Sequence, residues 1–196
     1  MYFTYKNQKM FAFSDTHGMH RKLSIPQEVD VLICAGDVIS DFSADGLDSF
    51  WEWFLSCPVK LRIFIPGNHE IVFDFYPEKA KELVPEGVVC LEDNGVEFCG
   101  IAFYSVTTRS LQQNKWLHQE TIIPANTDIL ITHIPPYGFL DEDAGDSILR
   151  NIVLSKRPKI HLFGHIHSQG GESLDGTWTR FFNVSKFNEL EVLYHC

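Results

Sequence analysis

Eight polar side chains stand at or just beyond the ends of apolar runs: Asp15, His17, Asp37, Asn68, His69, His133, His165 and His167. Carboxylate and imidazole donors without a thiolate among them suit divalent manganese, zinc, iron or nickel. His165 and His167 lie one residue apart in "LFGHIHSQGG", and in an extended backbone residues i and i+2 point to the same side, so both rings can face one point. A His-x-His pair alone is weak evidence, and Asp or Asn beside Gly is ordinary turn chemistry. The weight lies in the recurrence along the chain. Asp37 is a natural bridge, because a carboxylate between two cations offsets their repulsion, whereas Asn68 would ligate without adding charge. With Asp15 and Asp37 ionised, two divalent ions would leave a net charge of roughly +2, which suits a phosphate.

Such a set needs a scaffold that delivers side chains from distant parts of the chain to one place. Five apolar runs do so: "KMFAFSDTHG", "VDVLICAGD", "LRIFIPGNHE", "DILITHIPP" and "KIHLFGHIH". Continuous apolar runs of this length read as buried strands, and open α/β sheets build their sites at the C-terminal ends of strands. Between them, Leu47, Phe50, Trp51, Phe54 and Leu55 form an amphipathic stripe closed by Pro58, which predicts a helix whose aromatic residues belong to the core. Further helices are expected over 77–84, with Pro77 in the first turn, and over 146–156, capped by Asp146 and stopped by Pro158. Asn94-Gly95 predicts a hairpin, and the tail from Thr179 reads as two strands. The sum is an α/β domain with parallel strands first and antiparallel ones inserted and appended.

Composition narrows the function. The chain has 196 residues, 44% of them hydrophobic, which fits one domain over 1–196 with ample core. It shows no repeat, no signal-like start and no apolar run long enough to span a bilayer, so a cytoplasmic protein without a membrane partner is expected. The five cysteines are scattered with no Cys-x-x-Cys, the pattern of idle thiols in a reducing compartment. A net charge of −10 argues against a nucleic-acid polymer as partner but not against a small anionic substrate once metal ions are bound.

Taken in order, Asp-x-His, Gly-Asp, Gly-Asn-His-Glu, His and Gly-His-x-His resemble the calcineurin-like metallophosphoesterase superfamily, from Asp15 to His167. "SDTHG", "ITHIPPYGFLDE", "RPKIHLFGHIH" and "FFNVS" resemble its small branch of animal metallophosphoesterase-domain proteins and their bacterial relatives. The resemblance implies a four-layer α/β/β/α sandwich of two mixed β-sheets flanked by helices. It implies one metal on Asp15, His17, Asp37 and His167 and a second on Asp37, Asn68, His133 and His165, with manganese ranked first and iron, zinc, nickel or magnesium as the others. The histidines of "GHIH" then serve different ions. Two ions roughly 3.5–4 Å apart lower the pKa of a shared water, so that a bridging hydroxide attacks phosphorus in line. His69, outside the implied ligand set, is assigned to protonating the leaving oxygen or stabilising the transition state.

The remaining residues carry less. Glu70 is expected to orient neighbours, and Gly36, Gly67 and Gly164 to serve tight turns. His118 and His195 read as surface residues, His161 as packed in its strand, His20 as a residue at the pocket rim, and Arg109 as a minor candidate for substrate phosphate. The Asp-Arg-Gly that follows Gly-Asp in phosphoprotein phosphatases is replaced by "GDVISDFSADG", which argues against a protein phosphatase, and there is no room for a nuclease capping domain. The branch implies hydrolysis of small phosphodiesters such as cyclic nucleotides. A phosphomonoesterase is the enzymatic alternative, and a metal-binding scaffold without activity is the alternative from another class. A structural zinc site fails for want of clustered cysteines.

Overall fold

The computed structural model describes residues 1–40, 46–112 and 123–187. His118, His195, Cys196 and the last stretch of the tail lie outside them. Eleven strands form two sheets among the described residues. The first holds β1 (Tyr2–Tyr5), β2 (Gln8–Phe13), β3 (Val31–Cys34), β4 (Leu61–Phe64) and β5 (Val89–Cys90) in that order. β2 to β5 run parallel, and β1 is an antiparallel edge. The second sheet is built from β6 (Gly95–Phe98), β7 (Ile101–Val106), β8 (Ile129–Thr132), β9 (Ile160–Phe163), β10 (Ser173–Asp175) and β11 (Arg180–Asn183). Its order is β10-β11-β9-β8-β7-β6, with β7, β8, β9 and β11 parallel and both edges antiparallel.

Both faces of each sheet are covered, which explains why the strands read as unbroken apolar runs rather than as alternating ones. Met10 and Ala12 of β2 join Ile33, Ile63, Phe103, Ile131 and Leu162 in the core between the sheets. Phe11 and Phe13, one residue out of phase, pack outward with Leu32 and Phe64 against Phe50, Trp51 and Phe54 of α1 (Leu47–Ser56). Behind this sheet also lie α2 (Ile71–Phe75) and α3 (Pro77–Leu83), through Phe73 and Ala80. On the far side, Leu111 of α4 (Thr108–Gln112) and Leu149 and Val153 of α5 (Ser147–Lys156) cover Val106, Leu130, Phe163 and Phe181. The result is the expected α/β/β/α sandwich.

The three helices read from the sequence are present within a residue or two. α5 starts as predicted, with Asp146 Oδ1 accepting a hydrogen bond from Leu149 N at 2.6 Å. The Asn94-Gly95 hairpin does not form. Those residues lie where the chain leaves β5 in one sheet and enters β6 in the other. The β6–β7 turn is made by Cys99 and Gly100, at φ of 50° and 72°, the paired left-handed geometry that suits a two-residue hairpin. Lys6 and Asn7 do the same between β1 and β2, at 45° and 62°. Of the tail, the strand Arg180–Asn183 is observed. Among the described residues, no helix is long and apolar enough to cross a membrane.

Candidate metal centre

Each sheet delivers its polar residues from the C-terminal ends of parallel strands. Asp15 and His17 follow β2, Asp37 follows β3, and Asn68 and His69 follow β4. From the second sheet, His133 follows β8, and His165 and His167 follow β9. Asp15, His17, Asp37 and His165 all have left-handed φ, between 42° and 70°. This conformation is uncommon for side-chain-bearing residues and clusters at functional sites. Here it turns each backbone sharply as it leaves its strand, so that successive side chains meet at one edge of the sandwich.

The geometry brings all eight sequence-predicted residues together. Asp15, His17 and His167 form one group of potential ligand atoms, Asp37, His133 and His165 a second, and His17, Asp37 and His69 a third, with the atoms of each group within 4.8 Å of one another. Asn68 joins the second group, its Oδ1 2.9 Å from His133 Nε2. Asp37 and His17 each belong to two groups, so the set is continuous.

The donor atoms fit a cation. His133 Nδ1 lies 2.8 Å from the carbonyl oxygen of Ala35 and His17 Nδ1 lies 3.2 Å from that of Ile39. A carbonyl accepts only, so these contacts place the proton on Nδ1 and aim the Nε2 lone pair into the site, the arrangement that orients a metal-binding histidine. His17 Nε2 then faces His167 Nε2 at 3.3 Å, and His133 Nε2 faces Asp37 Oδ2 at 3.3 Å as well as Asn68 Oδ1. His133 Nε2, an acceptor in this tautomer, is thus crowded against two acceptor oxygens and requires either a proton or a metal ion between them. The metal-free charge balance shows the same demand. Burial lowers the His133 pKa, but the charge of Asp37 and its hydrogen bond outweigh burial and raise it to about 10. Burial raises Asp15, yet the hydrogen bond from His167 and the charges of His133 and His167 hold its carboxyl below the usual range. Burial pushes His17 and His165 down, towards the neutral imidazole that a metal needs.

Glu70, expected to orient neighbours, is fully buried and does so through its carboxylate. Oε2 accepts hydrogen bonds from Asp37 N and Gly67 N at 2.8 Å, and Oε1 accepts from Val38 N at 2.8 Å and Ile39 N at 3.3 Å. It thereby locks the two loops that carry Asp37 and Asn68. Burial and the charge of Asp37 push its pKa up to about 7, against those N–H donors. A charge count on Asp15 and Asp37 alone therefore omits a carboxylate directly beneath the site. Glu70→Ala orphans four buried N–H groups, each worth about 1–3 kcal/mol when unsatisfied. With water entering the space left behind, we expect a stability loss of about 3–6 kcal/mol in urea unfolding. A loss below roughly 1 kcal/mol would show that these donors have other partners.

Other expectations sort clearly. Gly36 has φ of 94° and turns the chain, as expected. Gly67 and Gly164 do not have positive φ and serve another need, because a Cβ at Gly67 would collide with the Asp37 carboxylate and one at Gly164 with Ser14 and Asp15. His161 is buried in β9, with Nε2 2.9 Å from Thr132 Oγ1, and burial pushes its pKa down to about 3. His20 is not a rim residue. It is buried against Phe50 and Trp53, with Ser49 Oγ 3.4 Å from its Nε2. Arg109 is not directed at substrate either: Nη1 donates to the Phe73 carbonyl at 2.7 Å and Nη2 lies 3.5 Å from Glu92. Sequence reasoning missed Ser14, Asn183 and Ser185. The quoted "SDTHG" and "FFNVS" contain them, but nothing local marks a serine as the partner of a distant aspartate.

Comparison with known proteins agrees with this architecture. A family model described as calcineurin-like phosphoesterase matches residues 9–169. The human metallophosphoesterase domain-containing protein 1 is 32% identical over 90% of this chain, which spans 65% of that protein's length. A UPF0046 protein of Caenorhabditis elegans is 29% identical over 92% of this chain and 70% of its own length. Among solved structures, the phosphopantetheinyl hydrolase of Mycobacterium tuberculosis superposes with a TM-score of 0.67 at 16% identity, covering 95% of this chain and 92% of its own. GAP50, the anchor in the inner membrane complex of Plasmodium, gives 0.61 at 12% identity, covering 91% and 71%. These two likenesses show the fold. With the signature residues gathered at one edge of that fold and the family model covering most of the chain, this protein belongs to the calcineurin-like phosphoesterase family.

Proposed function

We propose that the protein is a phosphodiesterase that acts on small phosphodiesters such as cyclic nucleotides and depends on two divalent metal ions, manganese foremost. The observation that carries this reading is the pair of ligand groups on either side of Asp37, one from Asp15, His17 and His167 and the other from His133 and His165 with Asn68. In this reading the first group and Asp37 hold one ion, and the second group and Asp37 hold the other. When bound, the ions supply a hydroxide nucleophile near neutral pH and neutralise phosphate oxygens.

The protein's own residues do the rest. Asp37 is held by Glu70 through its backbone N–H and accepts the His69 N–H on Oδ1 at 2.9 Å. That contact sets the direction from which His69 approaches. The His69 ring packs against His17 at 4.6 Å between centroids and remains about one-fifth exposed, with Nε2 3.8 Å from Asp37 Oδ2. From there it can deliver a proton to a leaving oxygen on the open side. Arg109 is engaged by Phe73 and Glu92, and in this reading the bound ions supply the positive charge that meets a singly charged diester. The free thiols of Cys34, Cys57, Cys90 and Cys99 are compatible with a cytoplasmic setting.

Manganese-loaded protein should therefore hydrolyse bis(p-nitrophenyl) phosphate faster than p-nitrophenyl phosphate, and a chelator should abolish both reactions. Faster turnover of the monoester would replace this reading with a phosphomonoesterase. Two bound ions with no turnover of either compound, or of cyclic nucleotides, would leave a metal-binding scaffold.

A further inference from the structure

The end of β11 and the two residues after it take part in none of the roles above, yet they reach both halves of one ligand group. Ser185 Oγ donates to Asp15 Oδ2 at 2.8 Å across 170 positions of sequence. The same oxygen accepts from Ser14 Oγ and, at 3.0 Å, from His165 N. Oδ2 thus takes three donors, whereas Oδ1 receives only the longer branch of the His165 N–H, at 3.3 Å, and is the oxygen that faces His167 Nε2, also at 3.3 Å. Two residues back, Asn183 accepts the Ser185 N–H on Oδ1 at 3.1 Å, and its Nδ2 donates to the Ile166 carbonyl at 2.9 Å, midway between His165 and His167. Asn183 is 0% exposed and Ser185 3%. The segment is also where the two sheets meet at this edge: Ser14 pairs with Ser185 in a parallel bridge, and Ser14 N donates to the Val184 carbonyl at 3.0 Å. Asp15 comes from the first sheet and His167 from the second, and Asn183–Ser185 ties one to the other.

We propose that Ser185, braced by Asn183, is a positioning residue that sets the metal affinity of the Asp15–His17–His167 group separately from that of the group around His133. The physical reason is the unequal loading of the Asp15 carboxylate. An oxygen that accepts three hydrogen bonds has little lone-pair density left for a cation, so the carboxylate is held to ligate through Oδ1 alone. Without the Ser185 hydroxyl, Oδ2 keeps only the Ser14 and His165 donors, the difference between the two oxygens shrinks, and the side-chain tie from the second sheet to Asp15 is lost. Partners of this kind typically contribute 10–100-fold to metal affinity. The inference rests on the proposed two-metal reading.

The test is a manganese titration of the full chain, read by metal content after equilibrium dialysis and by the electron paramagnetic resonance signal of the bound ions. Wild-type protein should bind two ions with an exchange-coupled spectrum. Ser185→Ala should weaken one of the two binding steps by roughly 10–100-fold and leave the other unchanged, so that at intermediate manganese a single uncoupled ion is seen. Ser185→Thr, which keeps the hydroxyl, should restore the coupled spectrum. Val184→Ala, a buried truncation beside it without loss of a side-chain hydrogen bond, should bind both ions as wild type does. If Ser185→Ala fails to fold, Ser14→Ala removes a donor to the same oxygen from the other sheet and should give the same selective loss. Unchanged binding in Ser185→Ala, or an equal loss in Val184→Ala, overturns the inference. A wild-type chain that takes up fewer than two ions overturns the two-metal reading instead.

Discussion

If the protein is the phosphodiesterase proposed above, Asp37→Asn should lower its hydrolysis of bis(p-nitrophenyl) phosphate by at least about 10³-fold, since several kcal/mol of charge stabilisation are lost and each 1.36 kcal/mol is tenfold in rate. It also brings bound metal below two ions per chain. The isosteric amide keeps an oxygen to accept the His69 N–H at the Oδ1 position, so the loop keeps its shape and the effect reads out charge. Asp37 is buried at 2% exposure and is shared by two ligand groups, so a neutral amide leaves cations on either side without the charge that offsets their repulsion. The metal-free protein supplies an independent check. His133 has a folded pKa of about 10 because of Asp37, against an ordinary value of 6.5. Its protonation therefore adds stability that is fully present below pH 6.5 and is lost as pH rises to about 10. In chelator, wild type should lose stability between pH 7 and 10 and Asp37→Asn should lose much less. Full metal occupancy and near-normal turnover in Asp37→Asn would remove Asp37 from its bridging role.

His69→Ala should lower kcat by about 10²–10⁴-fold, the range for loss of a positioned proton donor, while both ions stay bound. The distinction matters because His69 stands within ligand distance of His17 and Asp37. If it donates a proton, metal content remains at two and KM changes little. If it is a ligand, metal content falls together with activity. Diesters with more acidic leaving groups, which need less protonation, should also lose less than poor ones. Loss of an ion from His69→Ala would move this residue from proton transfer to the metal shell.

How much of the fold and site is legible in the sequence differs by residue. Asp15, His17, Asp37, Asn68, His133, His165 and His167 were legible because each follows an apolar run, and parallel strands present their C-terminal ends at one edge of a sheet. Hydrophobic period and length likewise marked α1, and Asp146 with Pro158 marked the ends of α5. Asn94-Gly95 misled because a favourable turn dipeptide specifies local geometry, whereas the choice between a hairpin and a passage to the other sheet depends on which strand edges are open. His20 and Arg109 misled for a related reason. Proximity in sequence to Asp15, or to the end of β7, does not say whether a side chain turns toward the site or into packing, and contacts with Trp53, Phe73 and Glu92 decided that.

By itself, then, the sequence determined the layered α/β class, the family and which polar side chains gather at one edge of the sandwich, because these follow from short-range pattern: apolar runs, capping residues and ordered polar motifs. Tertiary structure alone decided how those side chains are held. The bonds from Asp37, Val38 and Ile39 to Glu70, the histidine tautomers set by Ala35 and Ile39, and the donation from Ser185 to Asp15 join residues from 22 to 170 positions apart. No local pattern encodes such partners. They exist only when two sheets, each stabilised by burial on both faces, close against one core and bring the ends of their strands to a common edge.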